Sequence, residues 1–206
     1  MALCRAVLPL WEPDDEETEA DNARLLVPGV SLAQSPHGEG QELTILSMSG
    51  LTVDLWRVGS IYVSLDARDA DYAHFMPLFE EAGEIGLHPD LEEGLVSGDQ
   101  IVIIDRVRIA PAWRGLGGVG RLLIGRLLRW VAGQAALVAT HPYPIDIPVS
   151  ERDDTEREAR EEAVIQRTWQ SLGFEPFRED VWVMQPYLST HDEAVGRLET
   201  AFASYL

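Results

Sequence analysis

The glycine-rich turn over residues 115–120 constrains the fold most, because it joins an apolar run to an amphipathic helix pattern. Residues 101–109 are rich in Ile and Val, which favours a β-strand at that length, and Pro111 ends the run. A leucine-rich stripe at helical spacing then covers residues 118–132. This order of strand, turn and helix predicts a mixed α/β domain.

The same segment concentrates positive charge. The chain has 16 basic residues, all of them arginine, against 35 acidic ones. Those close to the turn are Arg106, Arg108, Arg114, Arg121, Arg126 and Arg129. Glycines let a ligand approach the backbone, N–H groups at a helix start attract anions, and arginines pair with phosphate oxygens. The residues indicate a phosphate-bearing ligand, with a glycine turn beside solvated arginines as the open alternative.

The charge balance also limits the class of partner. A formal net charge of −19 argues against binding to nucleic acid or to an anionic membrane, and favours a neutral or cationic partner. Cys4 is the single cysteine, and the five histidines show no metal-ligand spacing, so we expect no disulfide and no metal. Because the sequence shows no signal peptide and no apolar run long enough to span a bilayer, we expect a cytoplasmic protein.

The glycine-rich turn matches a dinucleotide-binding pattern in the spacing of its glycines but not in its sequence context. Gly115, Gly117 and Gly120 have the G-x-G-x-x-G spacing of that fingerprint. However, residues 110–114 separate the turn from the strand, and the next predicted strand ends in His141 where an acid is expected to bind ribose. This context disfavours a Rossmann fold.

A second pattern is longer. Residues 109–115 read Ile-Ala-Pro-Ala-Trp-Arg-Gly, which resembles the strand exit V-x-P-x-[YW]-R-G of the GCN5-related N-acetyltransferase (GNAT) superfamily. Leu122 and Leu123 resemble the paired leucines of that family, and residues 169–174 resemble its late Y-x-x-L-G-F segment. The resemblance is good over residues 101–185.

The resemblance implies the acyl-CoA N-acyltransferase fold. This fold is a twisted, mostly antiparallel sheet with splayed central parallel strands, flanked by helices. We expect this domain over residues 41–206. Residues 1–40 resemble nothing in the family and form an acidic N-terminal extension that could lie at the edge of the fold.

The resemblance also implies where acetyl-CoA would bind. Backbone groups of Val107, Arg108 and Ile109 would pair with pantetheine like an added strand. The pyrophosphate would lie on the side chain of Arg114 and on the amides of Gly115, Leu116, Gly117, Gly118, Val119, Gly120 and Arg121.

Two features depart from the family pattern. In its loop, [QR]-x-x-G-x-[GA], the sixth position is glycine or alanine, but here it is Val119 and the glycine follows at Gly120, so the loop is one residue longer. Trp169 replaces the late tyrosine that often protonates the leaving thiolate, and an indole N–H cannot act as a general acid. Tyr143 and Tyr187 are the alternative acids, although each could be structural.

Asp105 is the candidate catalytic base, because this family often keeps an acidic residue on its central strand. The alternative is a surface aspartate paired with Arg106. Since side chains alternate along a strand, we expect Arg106 on the opposite face, where it need not neutralise Asp105. We expect Trp113 and Trp182 to be core or rim aromatics.

The other segments are assigned from periodicity and turn residues. We predict a helix at 14–26, strands at 42–48, 51–57 and 61–65 separated by Ser49-Gly50 and Gly59-Ser60 turns, a helix at 72–82 interrupted by Pro77, a strand at 135–140, a helix at 151–171 capped by Gly173, a strand at 181–185 and a helix at 191–206.

The resemblance implies an acetyl-CoA-dependent N-acetyltransferase that transfers the acetyl group directly to an amine on a small molecule or peptide. The lone thiol, Cys4, lies in the extension and offers no covalent intermediate. The alternative is a catalytically weak GNAT-fold protein that binds acyl-CoA or a protein partner as a sensing or assembly module. A homodimer remains open in either case.

Overall fold

The computed structural model describes residues 3–7, 23–26, 29–33, 42–55, 61, 65, 70–79, 86–95, 98–144 and 155–203. Its strands are β1 (Leu3–Val7), β2 (Ala23–Leu26), β3 (Gly29–Ala33), β4 (Glu42–Asp54), β5 (Gln100–Ile109), β6 (Leu137–Thr140), β7 (Glu175–Arg178) and β8 (Val181–Met184). Its α-helices are α1 (Pro89–Glu92), α2 (Val119–Val131), α3 (Thr155–Gln170) and α4 (Ser189–Ala203), and short 3₁₀ helices cover Ala70–Leu78 and Pro111–Trp113.

The strands form one mixed sheet. Its order is β1-β3-β4-β5-β6-β8-β7, and β2 also pairs with β4. The pair of β5 and β6 is parallel, whereas the other pairs between the described strands are antiparallel. The mixed α/β class is therefore confirmed, and the doubly wound parallel sheet of a Rossmann fold does not match this arrangement.

Two apolar layers cover the two faces of the central strands. On one face, Ile101 and Ile103 belong to a buried cluster with Phe75 and Leu78 of the 3₁₀ helix. On the other face, buried residues of β5 and β6 pack with α2 and with the region around the end of α3: Val102, Ile104, Val138, Ile124, Leu127, Leu128, Trp169, Leu172 and Phe174. Helices thus flank the sheet, and the layer on the α2 side holds the candidate site.

A β-bulge interrupts β5 at Asp105. Gly50 of β4 pairs with Ile104, but the neighbouring Ser49 pairs with Arg106, so Asp105 is skipped in the register. Beyond the bulge, Val107 packs on the same apolar layer as Ile104. The bulge therefore shifts the alternation of side chains by one residue where β5 approaches the site.

The prediction of a turn at Ser49-Gly50 was wrong, because β4 runs through both residues as a continuous strand. The physical reason is a close approach of two backbones: a Cβ built on Gly50 would lie 1.9 Å from the carbonyl oxygen of Ile103. Glycine is needed here because it has no side chain. In the sequence alone, a glycine required by a close backbone contact looks the same as a glycine required by a turn.

Three other predictions also differ from the structure. Residues 23–26 form β2 and not the end of a helix, because they pair with β4; the rest of the predicted helix lies outside the described residues. Ile61 and Leu65 are helical where a strand was expected, and their neighbours 62–64 are not described. Residues 70–78 form a 3₁₀ helix, and Pro77 within it cannot donate the backbone bond of an α-helix.

The elements of the second half agree with their patterns. Helix α2, helix α3 and strand β8 lie where expected, although the described part of α3 begins at Thr155. Gly173 has a φ of +96°, the left-handed conformation of a C-terminal cap. Strand β7 was not predicted, since its residues Glu175–Arg178 include a proline and two charges. Among the described residues, none of the helices has the length and apolarity needed to cross a lipid bilayer.

Candidate functional site

A cavity opens where the parallel pair separates. The register of β5 and β6 ends at Ile104 opposite Thr140, whereas β5 continues to Ile109. The hydroxyl of Thr140 donates to the carbonyl oxygen of Ile104 over 3.1 Å, which closes the pair at this point. The cavity beyond it has a volume of about 390 Å³.

The lining changes from apolar to charged along the cavity. Buried residues at the end of the parallel pair line its inner part: Ile104, Ile124, Thr140 and Trp169. The more exposed part includes Arg108, Arg114 and Glu161. The lining thus combines buried apolar side chains with two arginines and two acidic residues, Asp105 and Glu161.

The second half of β5 forms one wall. Val107, Arg108 and Ile109, the predicted pantetheine residues, all line the cavity. One edge of this stretch pairs with residues 46–48 of β4, so its other edge is turned toward the cavity past the end of β6. An extended ligand could add to that edge as a strand.

Arg114 is bound to the end of the same strand. Its Nε donates to the carbonyl oxygen of Ile109 over 2.8 Å, and its side chain lines the cavity. The one-turn 3₁₀ helix Pro111–Trp113 makes this possible, because it turns the chain back before the glycine loop. The guanidinium is thereby placed between the strand and the loop.

The loop glycines serve two different purposes. Gly115, Gly117 and Gly118 have φ values of +72°, +59° and +108°, which L side chains rarely adopt. Gly120 packs closely on β5, since a Cβ there would lie 2.4 Å from Cδ1 of Ile109, the end of that side chain. The late glycine that departs from the family pattern is thus the contact that brings α2 against β5.

Some amides of the loop already have partners. The N–H of Gly117 donates to the Gly115 carbonyl over 3.0 Å, and that of Val119 donates to the Leu116 carbonyl over 3.1 Å. The first bond that spans a full helical turn runs from Leu122 to Gly118. The amides of Gly120 and Arg121 belong to the first turn of α2, where helical N–H groups have no partner within the helix.

Arg121 folds back over the loop. A Cβ built on Gly118 would lie 2.9 Å from Nη2 of Arg121, so the guanidinium rests on the glycine surface. Arg114 precedes the loop, so a positive charge stands at each end of it. Of the predicted loop residues, Arg114 lines the cavity, whereas Gly115 to Arg121 are not among its lining residues.

Asp105 lines the cavity, and its carboxylate is 21% exposed. The expected separation from Arg106 is not observed, because Nη2 of Arg106 lies 3.9 Å from Oδ2 of Asp105. The bulge explains this: strict alternation breaks at Asp105, so the two neighbours need not face opposite sides. Asp105 therefore sits close to a positive charge inside the site.

The aromatic candidates differ in whether they line the cavity. Tyr143 lines the cavity and its hydroxyl donates to Oε1 of Glu158 on α3. Tyr187 is 43% exposed and lies outside the lining. Trp169 lines the inner part and packs edge-on against Phe174 at 4.8 Å between ring centroids. As expected, Trp182 is buried, whereas Trp113 is half-buried at the start of the loop.

Two histidines that the sequence suggested only as possible metal ligands, without the spacing for a metal site, lie together at the cavity. His141 lines the cavity and stacks on His74 at 4.8 Å and on Tyr143 at 5.8 Å between ring centroids. Burial and then the charge of His74 lower the pKa of His141 below 6.5, while Asp180 opposes them. The available signal was its position directly after β6, beside the strand that carries Asp105.

Metal binding has no support in the described part of the chain. There, no group of three or more His, Cys, Asp or Glu side chains is placed to hold an ion. The side chains of Cys4 and His37 lie outside the described residues.

Comparison with known proteins adds no relative: no family model, no curated protein and no solved structure matches this chain.

Proposed function

We propose that this chain is an acetyl-CoA-dependent N-acetyltransferase with the GNAT fold. The observation that supports this most is the cavity at the separation of β5 and β6, which is bounded by the second half of β5 and lined by Arg114, just before the glycine loop. The two halves of the acetyl-CoA molecule make different demands. Pantetheine needs an extended backbone partner, and the pyrophosphate needs N–H groups and arginines.

The charged end of acetyl-CoA is assigned to the loop. Arg121 lies over Gly118 at the N-terminus of α2, Arg114 precedes the loop, and the first-turn amides of Gly120 and Arg121 can donate to phosphate oxygens. The longer loop suits this role, because it lets Gly120 pack on Ile109 while Gly117 and Gly118 make the turn. The remaining amides from Gly115 to Val119 shape the turn or contribute further contacts.

The reacting end is assigned to the bulge in β5. Pantetheine running along Val107, Arg108 and Ile109 would bring the thioester toward Asp105, close to the end of the parallel pair. A strand amide displaced by the bulge can polarise the thioester carbonyl and stabilise the developing oxyanion. The acceptor amine would enter from the side of Asp105, whose carboxylate can bind its ammonium form.

Transfer is direct in this scheme. The described lining residues include no cysteine, and the amine nitrogen can attack the thioester carbon without a covalent enzyme intermediate. The partner is a small-molecule or peptide amine, and the strongly negative chain disfavours nucleic acid or an anionic membrane. A cytoplasmic location, where acetyl-CoA is available, belongs to this proposal.

Calorimetry with CoA tests the binding part. Arg114→Ala should weaken CoA binding by about 1–3 kcal/mol, which is about 5- to 150-fold in the dissociation constant, because a charge-assisted contact is lost. The matched control is Arg126→Ala, since Arg126 lies on α2, pairs with Glu199 at 2.9 Å and does not line the cavity. NAD should not bind. Equal CoA affinity of the Arg114 variant and the parent would contradict the assignment.

A thermal shift gives an independent measurement. A ligand that binds only the folded state stabilises it by about 2.7 kcal/mol at 100 times its dissociation constant, so acetyl-CoA should raise the melting temperature and NAD should not.

CoA binding without acetyl transfer to any amine would instead support the second candidate, a sensing or assembly module. The internal bonds of Gly117 and Val119 favour that candidate, because they remove two amides from the phosphate site.

A further inference from the structure

The strongest unassigned feature of the cavity is the position of His141. It directly follows Thr140, the last residue of β6 that pairs with β5. Asp105 lies just beyond the corresponding end of that pairing on β5, so the two residues line the cavity from opposite sides of the separation. In the proposed function, which this inference requires, the thioester and the amine meet between these two strands.

The rings around His141 restrict its orientation. The His74 ring is inclined by 11° and the Tyr143 ring by 1° relative to the imidazole, so both pack nearly parallel to it. The Tyr143 hydroxyl is itself held by Glu158. An imidazole packed through its faces presents its nitrogens at the ring edge. Within the described residues, no hydrogen bond uses the ring nitrogens of His141.

The charges around His141 favour its neutral form. His74 comes from the 3₁₀ helix and Asp180 from the turn after β7. Tyr143 stacks on His141, and Glu158 accepts from the Tyr143 hydroxyl. The other charged residues that line the cavity are Asp105, Arg108, Arg114 and Glu161. Burial comes first and the His74 charge second among the causes that lower the pKa of His141, and Asp180 raises it. At neutral pH the imidazole therefore holds a lone pair.

We infer that His141 is the catalytic base of the acetyl transfer, and that His74 positions it. A ring nitrogen of His141 takes one proton from the acceptor ammonium. The neutral amine then attacks the thioester carbon, so that a C–N bond forms, the C–S bond breaks and the electron pair leaves on sulfur. A second proton from the amine nitrogen goes to that sulfur, which gives the amide and CoA thiol, and His141 returns its proton to solvent.

Imidazole suits this step better than a carboxylate. The ordinary pKa of imidazole lies near neutral pH and that of a carboxylate near about 4, and a general base works best when its pKa is close to the working pH. Asp105 then has a separate task, which is to bind the ammonium and direct its proton toward His141. The pair explains why an acidic and a basic group line the same part of the cavity.

The test uses the full chain with acetyl-CoA and three amines: spermidine, tryptamine and a lysine-containing peptide. His141→Gln should lower kcat by about 10²- to 10⁴-fold, the usual contribution of proton transfer, and leave the CoA dissociation constant within about twofold. The control is His88→Asn, because His88 lies outside the cavity lining and Asn can still accept the bond from the Asp90 amide.

His74→Phe provides the measurement that a merely structural role would not change. Phe keeps a ring against His141 but removes a positive charge that lowers its pKa, so the acidic limb of kcat should move to higher pH. Ring-carbon NMR should show the same upward shift in the titration of His141 without any substrate. This NMR comparison stands even if His141→Gln does not fold.

The outcomes separate the two proposals. Failure of the parent to bind CoA overturns the proposed function and this inference with it. CoA binding without transfer to any of the three amines overturns the inference and leaves the binding module. Transfer with a parental kcat and pH profile in His141→Gln, or an unmoved His141 titration in His74→Phe, overturns the inference alone.

Discussion

Replacing Gly50 by alanine should destabilise the sheet at the point that shapes the candidate site. The added Cβ would lie 1.9 Å from the Ile103 carbonyl oxygen, 3.0 Å from its carbon and 3.1 Å from Cα of Ile104. All three atoms are backbone, so no rotamer change relieves the contact. The strands must separate by about 1 Å, which would stretch ladder bonds from about 2.9 Å to beyond the range of a hydrogen bond.

The cost follows from those changes. Two weakened ladder bonds contribute about 0.5–1.5 kcal/mol each, and overpacking of a buried position adds about 1–3 kcal/mol. We therefore expect Gly50→Ala to lower the free energy of unfolding by about 2–6 kcal/mol, a large part of the 5–15 kcal/mol typical of a domain. The sign is informative, because Gly→Ala at an unstrained position normally stabilises by about 0.4–1 kcal/mol.

Urea unfolding followed by tryptophan fluorescence measures this quantity. Ser49→Ala is the matched control: it is the adjacent residue of β4, is only half-buried and already carries a Cβ, so its effect should stay within about 0.5 kcal/mol. A loss below about 1 kcal/mol for Gly50→Ala would refute the close approach of β4 and β5 and, with it, the placement of the bulge at Asp105.

Two further predictions concern the site itself. Gly118→Ala should weaken CoA binding about 10-fold, because φ is +108° and the new Cβ would displace Arg121. Calorimetry measures this affinity. The control is Gly196→Ala on α4, where the Cβ meets open space, and it should keep the parental affinity. Asp105→Asn should raise the KM for the amine about 10-fold and keep the acidic limb of kcat, which steady-state kinetics across pH would show; loss of that limb would make Asp105 the base.

The segment from β5 to α2 was predictable because its signals are local. An Ile- and Val-rich run, a proline and three glycines with positive φ specify a strand, a stop and a turn within about 20 residues of chain. The cap at Gly173 is local in the same way. The family resemblance implied acetyl-CoA contacts from Val107 to Ile109 and from Arg114 to Arg121; the structure brings Val107, Arg108, Ile109 and Arg114 together around one cavity, and residues 115–121 are not in its lining.

The features that sequence reasoning missed depend on residues far apart in the chain. Gly50 looked like a turn because its reason for being glycine is a contact with Ile103, which no local pattern displays. The bulge at Asp105 depends on the register between two strands, and regular alternation placed Arg106 on the wrong side. His74 and His141 are likewise joined only by the fold, so their stacking could not be inferred from spacing.

The two strands of the parallel pair divide the proposed chemistry between them, because Asp105 follows the paired part of β5 and His141 follows β6 at the same end. Asp105 lies 3.9 Å from the guanidinium of Arg106, and a carboxylate of ordinary pKa is negatively charged at neutral pH, which suits it to bind an ammonium group. His141 lies beside His74 and is half-buried, which favours the neutral form and makes it a good acceptor. An ammonium held by the first group and deprotonated by the second would reach the thioester carbon as a free amine. The charge of Asp105 thus favours ammonium binding, and the neighbours of His141 favour proton acceptance. The separation of β5 and β6 places both residues at one site.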